Sequence, residues 1–579
     1  MHVARIKSRH VDKSGQRRDY ESVYLRRSYR DGKKVKHEQV ANLTALPEAA
    51  IAAIEAVLAG HTLVSAADAV QVTRSVPHGS GAAVWAQAKA LGLPALLGPA
   101  GRHRDLAMGL IIARVLKPGS KLATTSWWAD TTVGVDLEIA DASTDEVYAA
   151  MDWLHSRQGS IEAKLAARHL APEANPSRMA MFDLSSSWME GSHCPLAARG
   201  YSRDGKKNRT QIEYGLLTDP AGRPVAIRVF PGNTADPTAF TDAVRIVRDR
   251  FNLDRMVMVG DRGMITSARI TALRTETDLG WLTAMRAPAI ARLAADNEAL
   301  QLSLFDEQDL AEITHPDYPG ERLVACRNPA LAEERARKRE ALLAATETAL
   351  APVLAAVGAG RLRGPDKIGL RIGPLINKYK MAKHLDVTIT DTTATLTRKT
   401  EQIAAEARLD GIYMLCTSVP ADDLDTAGVV TAYKNLARVE RDFRTIKVDD
   451  LDLRPIYHRL ADRVRAHVLI AMLAAYLVWH LRRTLAPLTY TDEHPAAPTT
   501  PAAPANRSAA AARKASRHRD ENDQPVRSFR ALLEHLATLT RNDVRLTQTQ
   551  TTTIMLTQPT PTQRRVFELL NQPLPLILK

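Results

Sequence analysis

The chain has 579 residues, a quarter of them charged, with a formal net charge of +13 and a pI near 9.6. Such a length allows several domains and a large core, and the excess of base favours a polyanionic partner, nucleic acid before a membrane surface. Cys194, Cys326 and Cys416 lie far apart, which excludes a disulfide framework or a thiolate metal site and fits a reducing cytosol.

Residues 1–46 read as a basic β-hairpin arm, with strand-like alternation around the turn Arg30-Asp-Gly-Lys33. A solvated hairpin and a phosphate-contacting arm both fit this pattern. The charged N-terminus has no apolar signal core. Residues 47–177 turn Ala/Leu-rich and helical. Arg104–Leu116 forms an apolar helix stopped by Lys117-Pro-Gly119, after which Ser120 can cap the next one. This is the pattern of a helical bundle, without a clear recognition helix.

The character changes at residue 178. Met179–Leu184 is a short apolar run ending in Asp183, which would stand at the end of its strand, and Gln211–Leu217 and Val225–Phe230 follow as strands joined by Asp219-Pro-Ala-Gly222. Asp236–Phe251 is helical. Arg255–Gly260 is a further apolar strand delivering Asp261, followed by helical Thr266–Arg274 and strand Gly280–Met285. That order predicts a mixed sheet covered by helices, an α/β core over 178–285 and 409–484. Residues 286–408 interrupt it as an α+β insertion: a strand at Arg322–Cys326, a long charged helix from Pro329, and strands near 386–390 and 393–398. The glycines of Val357–Gly364 have the wrong spacing for a dinucleotide loop. Val468–Trp479 is too short to span a bilayer comfortably and reads as a buried helix. Residues 485–527, rich in Pro, Ala and Thr, are expected to be a disordered linker, and 528–579 a tail with one helix at Ser528–Leu539.

The chemistry centres on the helix Tyr433–Lys447. Tyr433, Glu440 and Lys447 are seven apart and share a stripe with Leu436 and Phe443, which should face inward. A carboxylate there needs a cation, either Lys447, a nearby arginine, or a metal. Asp183 and Asp261 could each serve only a local turn. Gathered with Glu440, however, they would raise one another's pKa, and two hard cations would relieve the repulsion. Such ions support in-line phosphoryl transfer. His193-Cys194 has no evident third partner for nucleophilic catalysis.

With Val439-Glu-Arg-Asp-Phe-Arg444, Asp261-Arg-Gly-Met264 and Pro231-Gly-Asn-Thr-Ala-Asp236, the chain resembles bacterial insertion-sequence transposases of the DDE superfamily over roughly residues 178–480. The resemblance implies a ribonuclease H-like sheet flanked by helices, and a mainly helical N-terminal region that binds DNA ends and dimerises. It implies that Asp183 and Asp261 share one Mg2+, that Glu440 holds a second, and that Mn2+ can substitute. Tyr433 and Lys447 would contact phosphates of double-stranded DNA, both transposon terminal repeats and target. Leu436 stands where the family signature has Arg, so Arg444 is expected to supply that contact. A homodimer on paired ends, acting in the cytoplasm at the nucleoid, completes the expectation. The competing readings are a non-catalytic DNA-binding protein on a decayed core, opposed by three intact acids, and a host nuclease, which would lack flanking inverted repeats.

Overall fold

The computed structural model spans Met1–Lys579 and describes all residues except 12–16, 62, 64–68, 192, 207, 252, 254–255, 262–264, 266–269, 271–278, 296–304, 307, 497–499, 502–505, 521 and 548. The helix expected at Thr266–Arg274 and the Arg-Gly-Met part of the Asp261 motif fall almost wholly outside the described residues. The chain divides into two compact units.

The smaller unit joins residues 1–76 with 541–557. Strands β1 (His2–Val11), β2 (Arg17–Asp31) and β3 (Lys34–Asn42) form an antiparallel sheet in that order. The β2–β3 turn needs only Gly32 and Lys33, and Gly32 takes the left-handed φ of 62° that such a hairpin turn favours. Val23 and Leu43 bury against Ile51 of helix Glu48–Leu58, a core so small that the outer faces of the strands stay basic and exposed. Strand β4 (Val70–Pro77) belongs to a second three-stranded sheet, beside a hairpin of Thr540–Leu546 and Thr551–Leu556. Residues 47–177 are mainly helical as expected, with β4 as a strand among the helices, whereas the tail holds a hairpin and a second helix beyond the one expected. The β-branched alternation of Val70–Val76 finds its partner some 470 positions away, where Thr73 Oγ1 donates to Asp543 O at 3.1 Å.

The larger unit is built on an eight-stranded sheet. Its strands are β5 (Met179–Trp188), β6 (Gln211–Thr218), β7 (Pro224–Pro231), β8 (Val257–Val259), β9 (Gly280–Ala284), β10 (Leu310–Ile313) and β11 (Arg322–Arg327). A separate hairpin of β12 (Leu385–Ile389) and β13 (Ala394–Arg398) precedes the eighth, β14 (Ile412–Thr417). The spatial order is β10-β11-β14-β9-β8-β5-β6-β7. Strands β5, β8 and β9 are parallel, β6 and β7 antiparallel beside them. The run β7-β6-β5-β8-β9 is the ribonuclease H-like arrangement. All eight residues of β6 are buried, as expected for a strand covered on both faces. The insertion is not one separate body: its β10 and β11 extend the main sheet through β14. Two of its helices, Pro329–Gly358 and Pro365–Lys378, close a small core of Leu350, Val357, Ile368 and Ile372 under the β12–β13 hairpin.

Helix Ala461–Thr484 is the hub on the other side, buried at fifteen positions from Val464 to Leu481 and packed on β7 and on helices Arg102–Leu116 and Thr144–Ser156. It and Pro329–Gly358 are long and apolar enough to cross a membrane, but 83% of the apolar window of Ala461–Thr484 is buried inside the protein.

The linker and tail also differ from expectation. Ser508 caps a helix at Ala509–Arg517, Asp492 accepts from the Ser508 N–H at 2.8 Å, and buried Lys514 reaches the Ala486 carbonyl at 3.3 Å. Polar capping supports the helix Ala509–Arg517, whose own sequence is poor in large apolar residues. The tail helix Phe529–Ala537 packs on helix Gly79–Ala90 so closely that a Cβ on Gly79 would stand 2.5 Å from Leu536 O. Leu578 N–H donates to Asp136 at 2.9 Å, fastening the last residues to the helical region.

Candidate active site

Asp183 sits in the middle of β5 and not at its end as expected, because the buried Ser185–Ser187 continue the strand past the apolar Met179–Phe182. The parallel register of β5 and β8 pairs Met179 with Val257 and Met181 with Val259. Asp183 and Asp261 each lie two residues beyond the last of these pairs, and the charge of Asp261 acts on the Asp183 carboxyl. The ladder does continue on the other side, since Gly260 N–H donates to Leu282 O at 3.1 Å.

The half-buried Asp183 accepts, among the described residues, one hydrogen bond, from Leu184 N–H at 2.8 Å. Burial pushes its pKa up to about 7; the Leu184 N–H opposes this, the charges of Asp261 and Glu440 add to it, and Arg203 pulls the other way.

Glu440 belongs to helix Leu436–Arg444, whose buried face is Leu436, Val439 and Phe443; the Phe443 ring meets Tyr214 of β6 edge-on at 5.7 Å. The expected inward stripe is therefore corrected: Glu440 lies on the exposed flank. It opens with Asp261 onto a cleft of about 710 Å³, lined also by Tyr413, Tyr433 and Lys434. Half-buried Tyr433 thus stands in the cleft, and Leu436, in the position of the family's arginine, forms part of its wall. Arg444 is exposed and 3.7 Å from Asp449.

Lys447 departs from expectation most. The helix gives way to a π-turn at Thr445–Asp449, whose wider ring breaks the seven-residue stripe. Lys447 is turned to the buried Asp204, 3.0 Å away, rather than to the cleft.

Sequence reading missed the loop 198–206. Arg203 pairs with Asp236 at 2.6 Å and Glu213 at 3.4 Å, within the field of Asp183. Burial raises Glu213 to about 7, with Arg203 opposing. A charged Glu213 inside an apolar strand was the signal available. Pro231-Gly-Asn is tight for a steric reason: a Cβ on Gly232 would stand 2.0 Å from Gln211 O.

Among the described residues, no three His, Cys, Asp or Glu side chains stand close enough to enclose one ion. The acidic groups that act on Asp183 are nonetheless carboxylates, and its own carboxyl is kept near its neutral form by burial, with their like charge adding to it. That set suits a hard divalent cation rather than a soft one.

Two family comparisons now bear on the chain. The transposase DDE domain matches residues 191–477, and the N-terminal domain of the IS1634 family transposases matches 10–69; together they span more than half of it. The chain belongs to the insertion-sequence DDE transposases. Its function is DNA transposition, and its family consists of nuclease and transferase enzymes that generally use divalent metal ions. Asp183 lies just ahead of the matched DDE segment. Among solved structures, a piggyBac transposase synaptic complex with hairpin DNA is similar at 10% identity and a TM-score of 0.32, over 69% of this chain and 72% of that one. A Mos1 transposase paired-end complex with the left transposon end is similar at 11% identity and a TM-score of 0.14, over 34% of this chain and 62% of that one. No curated protein matches.

Proposed function

We propose that this transposase cleaves DNA at the ends of its element and joins those ends to target DNA, with Asp183, Asp261 and Glu440 holding two Mg2+ ions. The observation that carries this reading is the open cleft that Asp261 and Glu440 line together, with Asp183 and Asp261 each two residues beyond the last β5–β8 pair. Such ions, when bound, activate an attacking oxygen and stabilise a leaving one in in-line phosphoryl transfer, and Mn2+ can take their place. The chain's own part is positioning. Asp183 is held by Leu184 N–H on a rigid central strand, and the cleft walls Tyr433, Tyr413 and Lys434 offer hydroxyl and ammonium donors to a phosphate. Arg444, exposed on the same helix, is within reach of the backbone further along. The basic faces of β1, β2 and β3 supply sequence-independent affinity for double-stranded DNA. Terminal inverted repeats are recognised mainly by residues before 170, as a homodimer on paired ends, in the cytoplasm.

The test is nicking of a duplex carrying the element's ends in Mg2+, with gel-shift controls. Asp183→Asn, Asp261→Asn and Glu440→Gln should each abolish nicking and leave binding largely intact. Near wild-type nicking by any of them removes that residue from the site.

A further inference from the structure

Lys447 reads in sequence as a DNA-contacting residue, but its surroundings assign it elsewhere. Its Nζ lies 3.0 Å from Asp204 Oδ1 and 3.5 Å from the Ser186 carbonyl, and its side chain is 12% exposed. The Asp204 side chain is 2% exposed, and the same oxygen also accepts from Arg454. Asp204 is thus a buried anion between two cations, an arrangement that fails badly when the anion is removed, because two charges are left enclosed. Arg454 lies in turn over the ring of Trp188, the last residue of β5, at 5.0 Å.

The clamp has a definite mechanical position. Ser186 follows Asp183 by three residues on β5, and its hydroxyl accepts the Arg203 N–H at 3.0 Å. Lys447 follows Glu440 by seven, in the π-turn that ends the glutamate helix. One short loop, residues 202–205, therefore grips the strand of one acid and the helical segment of another. We infer that Asp204, acting through Lys447, is a positioning residue that fixes the distance between Glu440 and Asp183 and so the affinity of the site for its cations. This rests on the assignment of those acids as cation-holding residues.

The experiment uses full-length Asp204→Asn, Lys447→Met, their double variant, and Lys447→Arg. Three properties are read: the Mg2+ concentration for half-maximal nicking, the Mg2+-induced shift in melting temperature without DNA, and the salt dependence of binding to a transposon-end duplex. Asp204→Asn and Lys447→Met should each raise the Mg2+ midpoint at least about tenfold, the scale on which groups supporting metal ligands act. Both should shrink the Mg2+-induced melting shift and leave the salt slope unchanged, since no phosphate contact is lost. The double variant should be no worse than the single ones, and Lys447→Arg should recover most of the Mg2+ affinity. A salt slope lowered by about 0.9 in Lys447→Met would make the residue a phosphate contact and overturn the inference. A lower melting temperature with an unchanged Mg2+ midpoint would overturn it too, leaving a purely structural ion pair. Normal nicking by Asp183→Asn or Glu440→Gln would instead strike the underlying assignment.

Discussion

Two places in the larger unit gather like charges, and they resolve the repulsion in opposite ways. Beneath helix Ala461–Thr484, Arg114, Lys121, His458 and His467 meet with no buried acid among the described residues around them, only the charge of exposed Asp452 acting on Arg114. Arg114 gives its guanidinium to the carbonyls of Leu451, Asp452 and Gly119 at 3.3–3.4 Å, and burial draws its pKa down to about 10. Burial, with the charge of Arg114 in second place, drives the Lys121 ammonium far down, towards a neutral amine 3.3 Å from His467 Nδ1. His467 Nε2–H then donates to the Leu453 carbonyl at 3.3 Å, and burial lowers His458 to about 3. Every group is settled by carbonyls or by losing its proton.

The acids differ in their surroundings. Among the described residues Asp183 takes one N–H, from Leu184, with the charge of Arg203 also acting on it, while Asp261 and Glu440 line an open cleft. A crowd of like charges is therefore not in itself a site. What separates the two is that one crowd is closed over by the fold and the other opens onto a cleft that a cation can enter.

The largest expected effect tests the acid side. Asp183→Asn, Asp261→Asn and Glu440→Gln should lower nicking by about 10³-fold or more, the scale for removing preorganised charge stabilisation. Asp183→Asn should at the same time leave the melting temperature of the metal-free protein unchanged or raised, because it removes a half-buried, repelled charge. A clear fall in melting temperature would mean that Asp183 is compensated internally, like the bases. On the basic side, Lys121→Met should leave nicking intact and raise stability by about 1 kcal/mol or more, as replacement of buried ionisable groups by apolar ones often does. A loss of similar size, by urea unfolding at pH 7, would reveal an ion pair and break the contrast.

The same neutrality makes the basic cluster sensitive to acid. A histidine with a depressed folded pKa contributes stability that is fully present above its unfolded pKa of about 6.5 and is lost as pH falls towards the folded value. With His458 near 3, the window is roughly pH 6 to 4. The unfolding free energy of His458→Gln, relative to wild type, should be constant above pH 7. Below pH 6 it should move in the variant's favour by about 1.4 kcal/mol per pH unit. A parallel pair of curves would show that His458 is already charged in the fold.

Much of this was legible in the sequence, for local reasons. Met179–Phe182 and Met256–Val259 are apolar runs that read as buried strands and are so, but the continuation of β5 through Ser185–Ser187 past Asp183 carries no apolar signal. The pairing of β4 with Thr540–Leu546, the extension of the sheet by β10 and β11, and the docking of Leu578 on Asp136 are contacts between remote segments, which periodicity does not encode. The π-turn at Thr445–Asp449 is written in residues that continue a helix equally well, and it alone turns Lys447 away from the line of Glu440. Arg203 and Asp204 sit in a polar loop, where burial comes only from the tertiary fold.

The smallest expected effect compares two bases on one segment. Lys447 is closed, bound to Asp204 with its side chain 12% exposed; Arg444 is open, its side chain 76% exposed and its contact with Asp449 a long 3.7 Å. An exposed pair of that length contributes little and gives way readily to a phosphate, whereas a buried one does not. Leu436, buried in the cleft wall, leaves the contact expected of an arginine there unfilled. A guanidinium can offer the same paired donors from position 444, which lies eight residues beyond Leu436 on the helix it begins. Arg444→Ala should then weaken binding of the cleaved end a few-fold and reduce the salt slope by about 0.9, one phosphate contact. Lys447→Met should leave that slope alone, and Arg438→Ala should change it much less, because its guanidinium is held by the Pro220 carbonyl at 2.9 Å. If Arg444→Ala alters neither affinity nor slope, openness alone does not make a base on this helix a DNA contact, and the protein does without the one Leu436 has lost.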